Sequence, residues 1–233
     1  MSETNQKYIV AAVKSWNMDL ADRFAAANQS LEVKVINDKA RLTHNAVKEF
    51  NPRYIFFPHW SWMIPADIYE NFECIVFHMT DLPFGRGGSP LQNLIERGIY
   101  QTKISAIRVV EELDAGPVYL KRDLRLEGSA EQIFRRASAI IFEDMIPYII
   151  KNRPDPVPQQ GEATGFRRRR PEQSDIADLT SNTKVYDYIR MLDAEGYPSA
   201  FLETPALRIE FSDARLEEGC VLATAKIKAK SES

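Results

Sequence analysis

Apolar residues along this chain come in short continuous runs, separated by stretches with helical spacing. Tyr8 to Val13 (YIVAAV) has no polar position, the pattern of a strand buried on both faces. Asn17 is placed to cap a helix over Met18–Asn28. Leu31–Ile36 alternates as a strand, Arg41–Phe50 reads as a short helix, and Tyr54–Pro58 follows as a third strand. Pro65–Phe72 has proline in its first turn and reads as a helix. Cys74–Phe77 is a fourth strand, Pro90–Arg97 a helix, Ser105–Val110 a fifth strand and Val118–Leu126 an edge strand. The longest helix spans Ser129–Ile150; Ser129 and Gln132 have capping-box spacing. Strands alternating with helices predict an α/β fold, a Rossmann-like, mostly parallel sheet with helices on both faces. Residues 1–152 form this domain. Arg153–Pro158 reads as a linker into a small C-terminal α+β subdomain over residues 153–233, with a helix at Asn182–Glu195 and strand-like pieces at Ala200–Glu203, Arg208–Phe211 and Val221–Ile227. The tail Lys228–Ser233 is expected to fray.

Composition narrows the classes. Hydrophobic residues make up 44% of the 233, enough for an ordinary core. A net charge of −3 gives nucleic acid no global attraction, so no nucleic-acid partner is expected. No apolar run reaches the ~18 residues of a membrane span, so no membrane partner is expected either. Residues 1–7 lack a signal-peptide pattern, and two cysteines, Cys74 and Cys220, make no disulfide framework or metal spacing. The expected location is the cytoplasm, with no metal.

In such sheets, ligands bind beyond the carboxyl ends of the strands. His59, His78 and the loop carrying Asp114 all follow strands there. A histidine that titrates near neutral pH, paired with a carboxylate, suits proton transfer. The bland alternatives are a structural histidine at 78, a turn-capping aspartate at 114 and an aromatic-cluster histidine at 59. Gly85, Gly87 and Gly88 shape a loop or let backbone approach a ligand. Lys14, Trp16 and Asn17 lie on the same rim, where they cap and pack or contact a substrate. No GxGxxG follows the first strand, and neither GxxxxGK[ST] nor GxSxG occurs.

His78, Thr80, Leu82-Pro83, Arg86-Gly87, Pro90 and Asp114-Ala115-Gly116 match the order Asn-x-His-x-Ser-x-Leu-Pro, Arg-Gly-x-x-Pro and Asp-x-Gly. On these residues, the stretch from Phe56 to about Leu120 resembles the folate-dependent formyltransferases, the group containing methionyl-tRNA formyltransferase and the sugar N-formyltransferases. The resemblance implies attack of a primary amine on the formyl carbon of 10-formyltetrahydrofolate, with His78 moving the proton or stabilising the oxyanion and Asp114 positioning it. It implies a folate pocket at Trp62, Met63, Ile64, Arg86, Gly87, Leu113 and Gly116. The run Phe166–Asp175 resembles a segment of the sugar enzymes, which look nearer. It suggests Arg168 and Arg169 as diphosphate contacts, beside Lys14, Trp16, Asn17 and Thr80 as substrate contacts. The expected acceptor is a nucleotide-linked amino sugar, as in surface polysaccharide or lipopolysaccharide biosynthesis, and the apolar edges of the subdomain suit a homodimer. One departure stands out. The family asparagine two residues before the histidine is Val76 here, which cannot donate to an oxyanion; His59 is the substitute by position, with Ser61 and Thr80 behind it. A catalytically impaired folate- or sugar-binding homologue and methionyl-tRNA formylation are the alternatives.

Overall fold

The computed structural model describes residues 6–230. Its elements in order are β1 (Lys7–Ala11), α1 (Ser15–Ala27), β2 (Glu32–Ile36), α2 (His44–Phe50), β3 (Tyr54–Phe57), α3 (Ala66–Tyr69), β4 (Cys74–His78), the two-residue β5 (Arg86–Gly87) and α4 (Pro90–Glu96). These are followed by β6 (Gln101–Arg108), β7 (Val118–Arg125), α5 (Ala130–Ile140), α6 (Ile146–Asn152), the two-residue β8 (Gly165–Phe166), α7 (Asn182–Arg190), β9 (Ala200–Glu203), β10 (Leu207–Glu217) and β11 (Cys220–Ala229).

Six strands form one sheet in the order β2-β1-β3-β4-β6-β7, so β7 is the edge strand expected. The pairs β1·β2, β1·β3 and β3·β4 are parallel, and β4·β6 is antiparallel. The sheet is therefore mixed, and β7 follows β6 through a short connection that contains no helix. Ile9, Ala11, Ile55, Phe57 and Cys74 pack on one face with Val47 and Ile68 from α2 and α3. Tyr8, Val10 and Phe56, the alternate positions, are equally buried. Two covered faces explain the unbroken apolar runs. Cys74 lies in this core, where burial pushes its thiol up to about 12.

Local expectations hold where a local cause acts. Ser129 and Gln132 form the reciprocal capping box, with bonds of 3.0 and 3.3 Å. The long helix, however, is interrupted by a π-helical turn over Ile141–Met145. Pro147 lacks the N–H for a bond to the carbonyl four residues back, and its ring crowds that carbonyl. Helix α1 begins at Ser15 with Lys14 at its cap and no capping side chain, so Asn17 is not the cap. Asn17 is wholly buried; its amide donates to the Pro58 carbonyl at 3.1 Å and accepts from the Ser138 hydroxyl.

The chain divides into two compact units. The first comprises residues 1–87, 102–124 and 135–165; the second comprises 88–101, 125–134 and 166–233. The division departs from a cut at 152/153 in two ways. Residues 153–165 are bonded into the first unit rather than running free: Val157 exchanges backbone bonds of 2.8 and 2.9 Å with Val118, and the Thr164 carbonyl accepts from Arg86 N–H at 2.9 Å. In turn, α4 belongs with the C-terminal residues, its Gln92 donating to the Met191 carbonyl at 3.0 Å. The second unit holds α7 and a three-stranded antiparallel sheet, β11-β10-β9. Its long hairpin exposes Leu216, Leu222 and Ile227, the apolar edge on which the homodimer expectation rests. Lys228 and Ala229 belong to β11, and Lys230 N–H reaches the Ala206 carbonyl at 2.9 Å, so the frayed tail does not begin at Lys228; residues 231–233 lie outside the described residues. Among the described residues no helix is long and apolar enough to cross a membrane.

Candidate active site

Parallel β3 and β4 pair Phe57 with Val76. Two residues further along each chain stand His59 and His78, so the register brings both imidazoles to one rim. His78 is the last residue of β4 and is 8% exposed. Its Nε2 lies 2.8 Å from the Gly85 carbonyl, which only accepts, so Nε2 carries a proton in that bond. Its Nδ1 is 3.5 Å from Asp114 Oδ2. Both ring nitrogens thus face acceptors, and a further proton reaching Nδ1 would lie against a carboxylate. The Asp114 side chain is 12% exposed, its backbone is left-handed at φ 55°, and its Oδ2 also accepts from Gly87 N–H at 2.9 Å. The sequence-predicted pair is assembled.

His59 also has positive φ, 51°, which turns it out of the strand line. The Trp16 ring meets it edge-on at 5.5 Å. Burial, then the Lys14 ammonium, push its imidazole down to about 4. At neutral pH it is uncharged. Val76 is half-buried and packs against the core with Trp60 and Val109.

Three expected folate contacts present apolar surface in this unit: Trp62, Met63 and Leu113 are 42%, 70% and 55% exposed. Trp62 meets Trp60 edge-on at 5.0 Å, and Trp60 Nε1–H is buried with no acceptor among the described residues. The other four are engaged within the protein. The Ile64 side chain packs in the core, leaving only its backbone for a ligand. Arg86 is held by Glu112 at 2.9 Å and by Gln159 at 2.9 and 3.1 Å. Gly87 N–H is taken by Asp114. At Gly116 a Cβ would lie 1.7 Å from the Arg108 carbonyl oxygen, so its glycine is required by the β6–β7 connection itself.

The substrate contacts fare similarly. Thr80 is fully buried and donates to the Gly85 carbonyl at 3.4 Å, supporting the His78 acceptor instead of meeting solvent. Trp16 and Asn17 are buried; Lys14, half-buried, lies 5.4 Å over the Trp16 ring. Arg168 and Arg169 belong to the second unit. There, Arg169 is enclosed by Glu96 at 2.6 Å, Tyr188 and the Gln173 carbonyl. Arg168 is exposed, with its Cβ region against Gly88. Sequence reasoning missed Gln159 and Thr164. Gln159 donates to the carbonyls of Asp114 (2.7 Å) and Gly116 (2.9 Å), and the Thr164 hydroxyl accepts from Gly85 N–H at 2.9 Å. No local signal marks either residue in a proline-rich stretch.

Comparison with known proteins supplies the wider context. The family described as "Methionyl-tRNA formyltransferase, C-terminal domain" matches residues 171–228. The chain is 27% identical over 193 residues to a methionyl-tRNA formyltransferase of Thermodesulfovibrio yellowstonii, covering 80% of this chain and 62% of that protein. It spans half the length of a Bacillus cytotoxicus counterpart. A solved structure named methionyl-tRNA formyltransferase, from Clostridium thermocellum, is 55% identical with a TM-score of 0.95, covering 97% of this chain and all of that one. A sugar N-formyltransferase from a Shewanella species matches at 12% identity and TM-score 0.68 over 98% and 99% of the two chains. HypX of Aquifex aeolicus, solved with tetrahydrofolic acid, matches at 16% and 0.73 over 91% of this chain and 38% of that one. The last two share the fold alone. The expectation of nearer kinship with the sugar enzymes is therefore corrected, because the higher identities fall on proteins named for methionyl-tRNA.

Proposed function

This chain belongs to the formyltransferase family, and from that premise we propose that it transfers a formyl group from 10-formyltetrahydrofolate to a primary amine. The observation that carries the reading is the His78–Asp114 pair at the strand ends, reached through side chains 8% and 12% exposed. The folate would supply the activated formyl carbon. The residues present suit a flat heteroaromatic group: Trp62, Met63 and Leu113 offer apolar surface, and Trp60 Nε1–H awaits an acceptor.

The chain's own groups divide the work. The His78 and Asp114 pair takes up, between Nδ1 and Oδ2, the proton an attacking amine must lose, and returns it to the folate nitrogen as the bond from that nitrogen to the formyl carbon breaks. The Gly85 carbonyl keeps the ring from rotating. Negative charge developing on the formyl oxygen needs a donor, and Val76 supplies none. His59, uncharged near neutrality and level with His78 on the next strand, is the donor we assign.

Two acceptors have support. A net charge of −3 favours a small amino sugar carried on a nucleotide over a polyanion such as tRNA. The 55% identical structure named for methionyl-tRNA favours that acceptor instead. The test is release of tetrahydrofolate with a panel of nucleotide-linked amino sugars and methionyl-tRNA. His78→Ala and Asp114→Asn should each lower kcat on the order of 10²–10⁴-fold. No release with any amine, despite folate binding, would replace the reading with a binding protein of the same fold.

A further inference from the structure

We propose that Gln159 is a positioning residue for the His78–Asp114 pair, acting with Thr164 from a strap that reads in sequence as a plain linker. The proposal rests on the proton-transfer role given to that pair above.

The Gln159 amide is fully occupied. Its Nε2 donates to the carbonyls of Asp114 and Gly116 at 2.7 and 2.9 Å, and its Oε1 accepts the Arg86 fork from Nε and one terminal nitrogen at 3.1 and 2.9 Å. Two donors and two acceptor directions are all that a primary amide has. Gln159 therefore joins the loop after β4, through Arg86, to the loop bearing Asp114. A second tie joins the same two loops directly, from Gly87 N–H to Asp114 Oδ2 at 2.9 Å.

Thr164 completes the frame from the other side. Its hydroxyl accepts from Gly85 N–H, its N–H donates to the Pro83 carbonyl at 3.2 Å and its carbonyl accepts from Arg86 N–H. The Gly85 carbonyl is what His78 Nε2 binds. One short strap thus sets the groups at both ring nitrogens: the Gly85 peptide at Nε2 through Thr164, and Asp114 at Nδ1 through Gln159. Asp114 in particular holds a left-handed backbone, at φ 55°, and its own carbonyl is one of the two to which Gln159 donates.

The experiment uses the full chain with Gln159→Leu, Gln159→Glu and Thr164→Val. Leucine removes all four bonds at similar bulk. Glutamate keeps the acceptor for Arg86 but turns oxygen toward two carbonyls. Valine deletes only the hydroxyl. Two readouts are taken: steady-state kinetics, and the ¹⁵N resonances of the His78 ring nitrogens. Gln159→Leu and Gln159→Glu should lower kcat on the order of 10–100-fold, with KM for the acceptor within about twofold, because geometry at the reacting centre is lost while binding surface is kept. The Nδ1 resonance should move in both, and the Nε2 resonance in Thr164→Val. Folded variants with His78 resonances superimposed on the wild type would overturn the proposal. If Gln159→Leu does not fold, Thr164→Val and Gln159→Glu decide it by the same resonances. If the wild type transfers no formyl group, the function above falls, while the ring resonances still decide whether the strap sets the pair.

Discussion

At the scale of single residues, the question is where the negative charge of the reaction finds a donor. Val76 occupies the family's asparagine position and packs against the apolar core, as Trp60 and Val109 do. Removing one such donor costs about 3 kcal/mol in transition-state stabilisation. If His59 has taken the role, His59→Ala should lower kcat on the order of 100-fold, and Val76→Asn should recover a large part of that loss in the double variant. Two additive, near-neutral substitutions would remove His59 from the mechanism. The same residue carries a stability signature. Its folded value of about 4 lies below its unfolded value near 6.5. Between those values the unfolded chain binds a proton that the folded chain refuses. Its contribution is therefore complete above about pH 6.5 and declines as pH falls toward about 4, by on the order of 1–3 kcal/mol. Urea unfolding at both ends of that window should show the loss in the wild type and a smaller one in His59→Gln.

At the scale of elements, the connections hold the chemistry in place. Gly116 passes so close to the Arg108 carbonyl that Gly116→Ala must open the β6–β7 connection that carries Asp114. The expected cost is on the order of 2–4 kcal/mol, with kcat falling alongside it; an unchanged melting temperature would show that the connection has slack. Asn17 ties α1 to the loop after β3 and to Ser138 on α5. Asn17→Ala leaves the buried Pro58 carbonyl and Ser138 hydroxyl without that partner and should cost about 1–3 kcal/mol by chemical denaturation. This scale also separates what could be read from the sequence from what could not. The Ser129–Gln132 box and the rim histidine are local statements, set by neighbours within a few residues. Asn17 looked like a cap because its type suits one; its partners lie 41 and 121 positions away. Arg169 looked like a phosphate ligand for the same reason, and Glu96 from α4 encloses it instead.

For the whole molecule, charge and construction bear on the acceptor. Four consecutive arginines, Arg167 to Arg170, suggest a polyanion surface, yet the chain carries a net −3 and Arg169 is enclosed. Binding of tRNA by this chain should therefore be weaker than on the order of 10⁻⁵ M at about 150 mM salt. Filter binding across a salt series checks this, and tight, steeply salt-dependent retention would turn the acceptor assignment to methionyl-tRNA.

By itself, the sequence determined the layered α/β sheet, the edge position of β7 and the rim on which His78 and Asp114 meet, because hydrophobic period and strand-end placement are properties of contiguous residues. It could not determine that residues 153–165 are a strap, that α4 joins the C-terminal unit, or that Gln159 serves the Asp114 loop. Those depend on hydrogen bonds between groups 39 to 99 positions apart, as from Val157 to Val118 and from Gln92 to Met191. An amide or a guanidinium has the same donors wherever it stands in the chain. Only the folded backbone decides which carbonyl or carboxylate it meets.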